Sequence, residues 1–317
     1  MSDDIRWIGQ NKHLLVGTET AEWVIPSGVN ATNIQAVLNS RYGSDKLQGT
    51  SVGDAFCFFQ SGKKGLVEYY VPQQDTNFRA NNMALLSKNM LHESPAADFD
   101  FISAPYTKLF VCRRDGVIAS LLYERGTGTF AWGRITTAGS VVSIATLPGE
   151  SGYDAVYLLV QRDGEQYLER LEEGEAVYLD SFKAWDGNAA GYTDAAVIYD
   201  GAAGKTYPVT APPAQYAAGK TWVGYPYTSR VRSMPILAND RMKPNTIKAI
   251  SIRFNDSFMP RLKSPNNNKE DTIPQQEPYS GIVRAPFPGV YAYDVFFELI
   301  HDTPTRCRAL AVNAEVQ

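Results

Sequence analysis

The chain has 317 residues, is 44% hydrophobic and 20% charged, and carries a formal net charge of −4. That length suits one large or two medium domains of ordinary globular composition, and the charge gives no general argument for nucleic-acid or membrane binding. No apolar run approaches the roughly 18–20 residues of a membrane span, and Met1-Ser2-Asp3-Asp4 lacks the basic-then-apolar pattern of a signal peptide.

Four strand–turn–strand units fill the first half. The first is His13–Thr18 with Ala21–Ile25. The second is Ala55–Phe59, a Gly62-Lys63-Lys64-Gly65 turn, and Leu66–Val71. The third and fourth are hairpins on Arg-Asp-Gly: Lys108–Tyr123 about Asp115-Gly116, and Val156–Arg170 about Asp163-Gly164. Asp-Gly between β-branched or aromatic runs predicts a type I′ turn, with φ > 0 at both central residues. Arg114 and Arg162 then read as exposed hairpin ends. Turn-to-turn steps of 44, 54 and 48 residues fall near the ~40–50 residues of a propeller blade. Phe130–Ile135 adds a strand, and Asn77–Leu91, poor in β-branched residues, predicts one short helix.

Composition changes after Glu173, which sets the expected domains at 1–173 and 174–317. Residues 183–220 are rich in Ala, Gly, Pro and Tyr, with short strands such as Ala195–Tyr199. Longer strands are expected over Thr246–Phe254 and Val290–Ile300, with a polar loop near 260–280. The expected fold class is all-β: complete or partial propeller-like blades, then a β-sandwich-like C-terminal region. From Arg230 to Lys269 there are nine Lys/Arg against two acids; from Glu270 to Asp302, six acids against one Arg. Solvated edge charges explain most of these, but the basic block also suits a subunit interface: Arg230, Arg232, Arg241, Lys243, Lys248, Arg253, Arg261 and Lys263. Contact of this block with DNA phosphates is the less favoured use.

Chemical motifs are weak. Gly204-Lys205-Thr206 and Gly219-Lys220-Thr221 resemble the end of a P-loop, but Tyr199 and Ala214 stand where the first Gly is needed, and no helix pattern follows. His13, His92 and His301 lack metal-ligand spacing. Cys57, Cys112 and Cys307 form no CxxC pair, and the first two read as small buried thiols made in a reducing compartment. Glu22, Glu68, Glu124, Glu169 and Glu298 could supply a glycosidase pair, but strand alternation places most of them on a polar face. Trp7, Trp23, Trp132, Trp185 and Trp222 read as sheet-packing residues rather than sugar platforms. These patterns nominate no catalytic, cofactor or metal residue.

An ordered set of segments nevertheless resembles one family. It comprises Ile5-Arg6-Trp7-Ile8, Leu14–Thr18 with Ala21-Glu22-Trp23, Ser40–Ser44, Val52–Gln60, Val67-Glu68-Tyr69, Asp115-Gly116, Leu122-Tyr123-Glu124, Ala131–Arg134, Gly139–Ser143, Asp154–Arg162, Leu168–Leu171, Trp222–Ser229 and Lys248–Phe254. The set is similar to the tail nozzle proteins of short-tailed bacteriophages, which include the tail tubular protein B family and the head-tail stabilisation proteins. It resembles their C-terminal two-thirds; Ala21 stands where that family often has Gly, and its N-terminal region has no counterpart before Ile5. The resemblance implies a non-enzymatic virion component made in the host cytoplasm, with no cofactor. It implies a ring, typically a hexamer, below portal and adaptor, that extends the DNA channel, retains packaged DNA and supports tail fibres. Double-stranded DNA would pass without sequence recognition, and the basic block would face a neighbouring subunit or the outside. A carbohydrate-binding or glycan-hydrolysing propeller is the competing expectation.

Overall fold

A computed structural model describes residues 3–26, 30, 32, 35–72, 78–149, 152–172, 177–236, 244–273 and 278–317. Nearly all regular structure is antiparallel β. The chain divides into two compact units, Met1–Glu173 and Gly174–Gln317.

In the first unit, strands follow one another as meanders. Sheet one is β1 Ile5–Gln10, β2 Leu14–Thr18, β3 Glu22–Ile25 and β4 Val37–Ser40. Sheet two is β5 Thr50–Val52, β6 Ala55–Phe59, β7 Leu66–Tyr70 and β8 Arg79–Asn82. Sheet three is β9 Ala96–Ile102, β10 Lys108–Arg113, β11 Ile118–Glu124 and β12 Thr129–Ile135. Sheet four has three strands: β13 Ser140–Leu147, β14 Ala155–Arg162 and β15 Glu165–Leu171. The expected hairpins are the inner pairs of sheets one to three, flanked by further strands, and the last pair, β14–β15, of sheet four.

Three apolar layers join the four sheets. Trp7, Leu15 and Val24 of sheet one meet Phe56, Phe58, Val67 and Tyr69 of sheet two. The opposite face of sheet two, with Cys57, Phe59 and Leu66, meets Leu109, Val111, Ala119 and Leu121 of sheet three. Phe110, Cys112 and Ile118 on the other face of sheet three meet Val141, Ile144, Val156, Leu158 and Val160 of sheet four. Sheets two and three are therefore covered on both faces, which is why Ala55–Phe59 is apolar throughout rather than alternating.

The helix expected over 77–91 does not form. Residue 77 lies outside the described residues, Arg79–Asn82 is strand β8 paired to β7, and only Lys88–Met90 makes a 3-10 turn. Ladder hydrogen bonds to β7, with the Asn81 side chain bonded to Glu68, outweigh the weak strand propensity of Arg-Ala-Asn-Asn.

The two Arg-Asp-Gly hairpins are not alike. Asp163 and Gly164 both have positive φ (51° and 85°) in a two-residue loop between Arg162 and Glu165, as type I′ requires. At the other turn only Gly116 has positive φ (80°), and Arg113 N–H bonds to the Val117 carbonyl across a three-residue loop. That is a type I turn closed by a left-handed glycine. A Cβ on Gly116 would lie 2.7 Å from Ser140 Cα, so the turn is shaped by its seat against β13.

In the second unit, β16 Asp180–Ala184, β17 Val197–Asp200, β18 Lys205–Pro208 and β19 Thr221–Tyr225 form a sheet in the order β16-β19-β17-β18. The remaining strands are β20 Ser229–Arg232, β21 Ile247–Ser257, β22 Arg261–Ser264, β23 Lys269–Thr272, β24 Tyr279–Pro286, β25 Glu298–His301 and β26 Ala309–Val316. They make two sheets, β20-β25-β22-β23 and β24-β21-β26, which contribute to one core through Ile250, Ile252, Phe254, Leu262, Val283 and Leu299. The expected loop at 260–280 is instead a hairpin, β22–β23, over its described part. Asn266 and Asn267 tie its turn to the carbonyls of Asp294 and Pro288; residues 274–277 lie outside the described residues.

Candidate functional site

The carboxylates expected on polar strand faces are the first correction. Glu22, Glu68 and Glu298 are buried; the first two face a neighbouring sheet, and Glu298 lies beside Arg232 and Lys263 on the adjacent strands. Each has partners, as burial of such a group demands. Glu22 accepts hydrogen bonds from Ser40 Oγ (2.6 Å), Tyr42 N–H (3.1 Å) and Ser44 Oγ (3.0 Å), fastening the chain beyond β4 to β3.

Glu68 lies in the layer between sheets two and three. Tyr123 Oη donates to its Oε2 at 2.6 Å, Asn81 Nδ2 donates to its Oε1 at 3.0 Å, and Arg125 Nε stands 3.6 Å from Oε2. Arg125 also stacks on the Tyr70 ring at 3.8 Å and pairs with Asp54 at 2.8 Å. A cleft of about 440 Å³ opens beside this group, at the strand ends of sheets two and three. Asp54, Val71, Thr107, Tyr123, Glu124 and Arg125 line it. Burial raises the Tyr123 pKa, and its bond to Glu68 raises it further. Burial also pushes the neighbouring Cys57 thiol upward, reinforced by Glu68. Both groups are thereby held protonated, so Tyr123 donates to Glu68 and Cys57 is a poor nucleophile.

Carboxylates also join sheets three and four. Asp98 accepts from Ser143 Oγ (2.6 Å) and Ile144 N–H (3.2 Å), and Asp100 from Thr146 N–H (2.7 Å). Asp154 accepts from the N–H groups of Ser103 and Ala104. Arg113, not Arg114, is the structural arginine of its hairpin: it is buried and bonds to the Met90 carbonyl and Asp115. Arg114 is exposed, as expected of a hairpin end, but Arg162 is not. It bonds to the Ala138 carbonyl and to Glu169 (2.8 Å), and lies over the Tyr167 ring. Trp7 and Trp185 are buried, and Trp132 Nε1 donates to the Met83 carbonyl.

The basic and acidic blocks meet within a single sheet. Arg232 faces Glu298 at 4.0 Å across β20–β25, Lys263 pairs with Glu270 at 3.3 Å across β22–β23, and Arg261 pairs with Glu270 and Asp302. Arg230 is exposed on β20, and Lys248 and Arg253 are exposed on β21. Arg241 and Lys243 lie outside the described residues. The two P-loop-like triplets run into strands β18 and β19, not helices. Sequence reasoning missed the cluster of Asp54, Glu68, Tyr123 and Arg125; its signal was a carboxylate inside the apolar run Leu66–Tyr70.

No protein-family model and no curated protein sequence matches the chain. Among solved structures, the N-terminal domain of Nup159 aligns over 94% of this chain and 75% of its own, at 10% identity and a TM-score of 0.30. BBS1N in complex with ARL6DN aligns over 96% and 94%, at 9% identity and 0.31. An exo-beta-1,3-galactanase from Phanerochaete chrysosporium aligns over 98% and 79%, at 8% identity and 0.26. Likenesses this distant carry no argument about what the chain does.

Proposed function

We propose that the chain is a structural protein of a bacteriophage tail, of the tail-nozzle kind, in which the meanders are propeller-like blades and the C-terminal core is a β-sandwich. One observation carries the reading: several residues of the nozzle resemblance form hydrogen-bonded clamps within and between the sheets. Glu22, Ser40 and Ser44 form one clamp, Glu68 and Tyr123 a second, and Asp154 contributes to a third. A sequence pattern that includes such clamps supports a role in which architecture is the function. In this reading the protein works as a ring, typically a hexamer, beneath portal and adaptor, carries tail fibres, and lets double-stranded DNA pass without sequence recognition. A channel wall of this kind avoids strong phosphate contacts. Among the described residues, Arg230, Arg232, Lys248 and Arg253 are the exposed members of the basic block, on offer to a neighbouring subunit. The test is mass spectrometry of density-purified phage particles from the source bacterium after induction. The protein is expected at fixed stoichiometry to portal protein; its absence from DNA-filled, tailed particles overturns the proposal.

The rival reading, a glycan-binding or glycan-hydrolysing protein, draws on the cleft, where Asp54 and Glu124 stand beside Tyr123. A glycan array and a reducing-sugar assay on the purified chain, repeated with Asp54→Asn, test it; binding or turnover lost in that variant favours this reading.

A further inference from the structure

The stack of four sheets exposes apolar side chains at both ends. On sheet one, the face away from sheet two carries Ile8, Val16, Trp23 and Leu38 in one cross-strand row. Ile8 is 53% and Leu38 38% exposed, and Leu14, one row along, is 42% exposed. On sheet four, the face away from sheet three carries Leu159 beside Leu168, with Tyr157 beside Arg170 and Gln161 beside Gln166 in the rows either side. Leu168 is 75% exposed and Leu147 56%. Inside the stack, such faces are covered by the next sheet in all three layers. Contiguous exposed apolar surface on a soluble β-protein marks an interface.

We infer that the outer face of sheet one docks on the outer face of sheet four of a second copy of this chain, continuing the sheet-on-sheet packing from one molecule to the next. A second copy fits because one chain presents both halves of the junction, and because the junction repeats the packing already made three times within the unit. The two faces differ, so the contact is heterologous and propagates head to tail until it closes or is capped. Sheet four ends at β15, which is an edge. In a two-residue hairpin the residues flanking the turn, Arg162 and Glu165, exchange hydrogen bonds, so the N–H groups of Gln166, Leu168 and Arg170 point outward. That edge lies beside the proposed contact. The inference deepens the structural reading above and rests on it for its biological setting.

Light scattering on the purified full chain over a concentration series tests it, with Ile8→Glu and Leu168→Glu. Both side chains are exposed, so both variants should keep the parent circular dichroism and melting temperature. The parent is expected to gain mass with concentration, while each variant alone stays monomeric. Mixing the two variants should give dimers and nothing larger, because each pair keeps one intact junction. A parent that stays monomeric to its solubility limit overturns the inference. So does assembly that survives both substitutions, or a mixture that stays monomeric. None of these results bears on whether the protein is present in phage particles, so the functional reading stands or falls separately.

Discussion

Replacing Tyr123 by Phe removes one hydroxyl from the layer between sheets two and three and leaves the ring in place. The lost bond is a 2.6 Å donation to a buried carboxylate; afterwards Glu68 Oε2 retains Arg125 Nε at 3.6 Å, beyond normal hydrogen-bond length. A hydrogen bond to a charged group contributes about 1.5–3 kcal/mol net, so the first unit should lose about 2 kcal/mol. For a unit of this size that corresponds to a fall of about 4–8 °C in melting temperature. Urea denaturation followed by tryptophan fluorescence measures the loss, and hydrogen exchange of β7 and β11 peptides localises it to the first unit. Alkaline pH gives an independent check. The folded pKa of Tyr123 is raised, by burial first and by Glu68 second, so its contribution is complete below the ordinary tyrosine value near 10. It is lost as pH rises from there toward the folded value. The parent should therefore lose stability faster than Tyr123→Phe above about pH 10. A Tyr123→Phe loss under about 0.5 kcal/mol would show that the bond does not hold the two sheets together.

Glu22→Ala leaves two serine hydroxyls and the Tyr42 N–H without their acceptor, and should cost about 3–5 kcal/mol in the same urea assay. Gly164→Ala and Gly116→Ala both place a methyl at positive φ, costing about 1–2 kcal/mol from backbone strain. Only Gly116→Ala also meets the β13 backbone, so calorimetry should show at least double the loss there. Burial raises the Cys112 thiol to about 11, with Asp98 and Asp115 adding to it, and raises Cys57 as well. At pH 8 a maleimide should label Cys307 far faster than either, and the other two should react at comparable rates only after unfolding in urea.

The all-β character and the inner hairpins were legible from β-branched runs and turn residues, because both act locally. Burial of Glu68 was not, since alternation assumes that one face of a strand meets water, and sheet two meets a neighbour on each face. The continuous apolar run Ala55–Phe59 was the available clue that the rule would fail there. The helix expected near residue 80 failed for a related reason. Arg79–Asn82 takes its conformation from β7, and Asn81 completes the bonding of a carboxylate 13 positions away. The Asp-Gly pairs at Gly116 and Gly164 look alike in sequence, yet one closes a three-residue loop seated against β13 and the other a two-residue loop. At the cleft, Asp54 and Arg125 are 71 positions apart, a separation that no local pattern brings together.

Sheets two and three, apolar on both faces, also limit how such a chain can change over evolutionary time. Trimming one of their strands, or one whole sheet, would uncover two greasy surfaces at once, and an added strand would find no vacant layer to fill. Lineages of this architecture should therefore differ by whole meanders, gained or lost by duplication or deletion at the ends of the stack. Between those events, point substitutions would accumulate mainly at the turn tips.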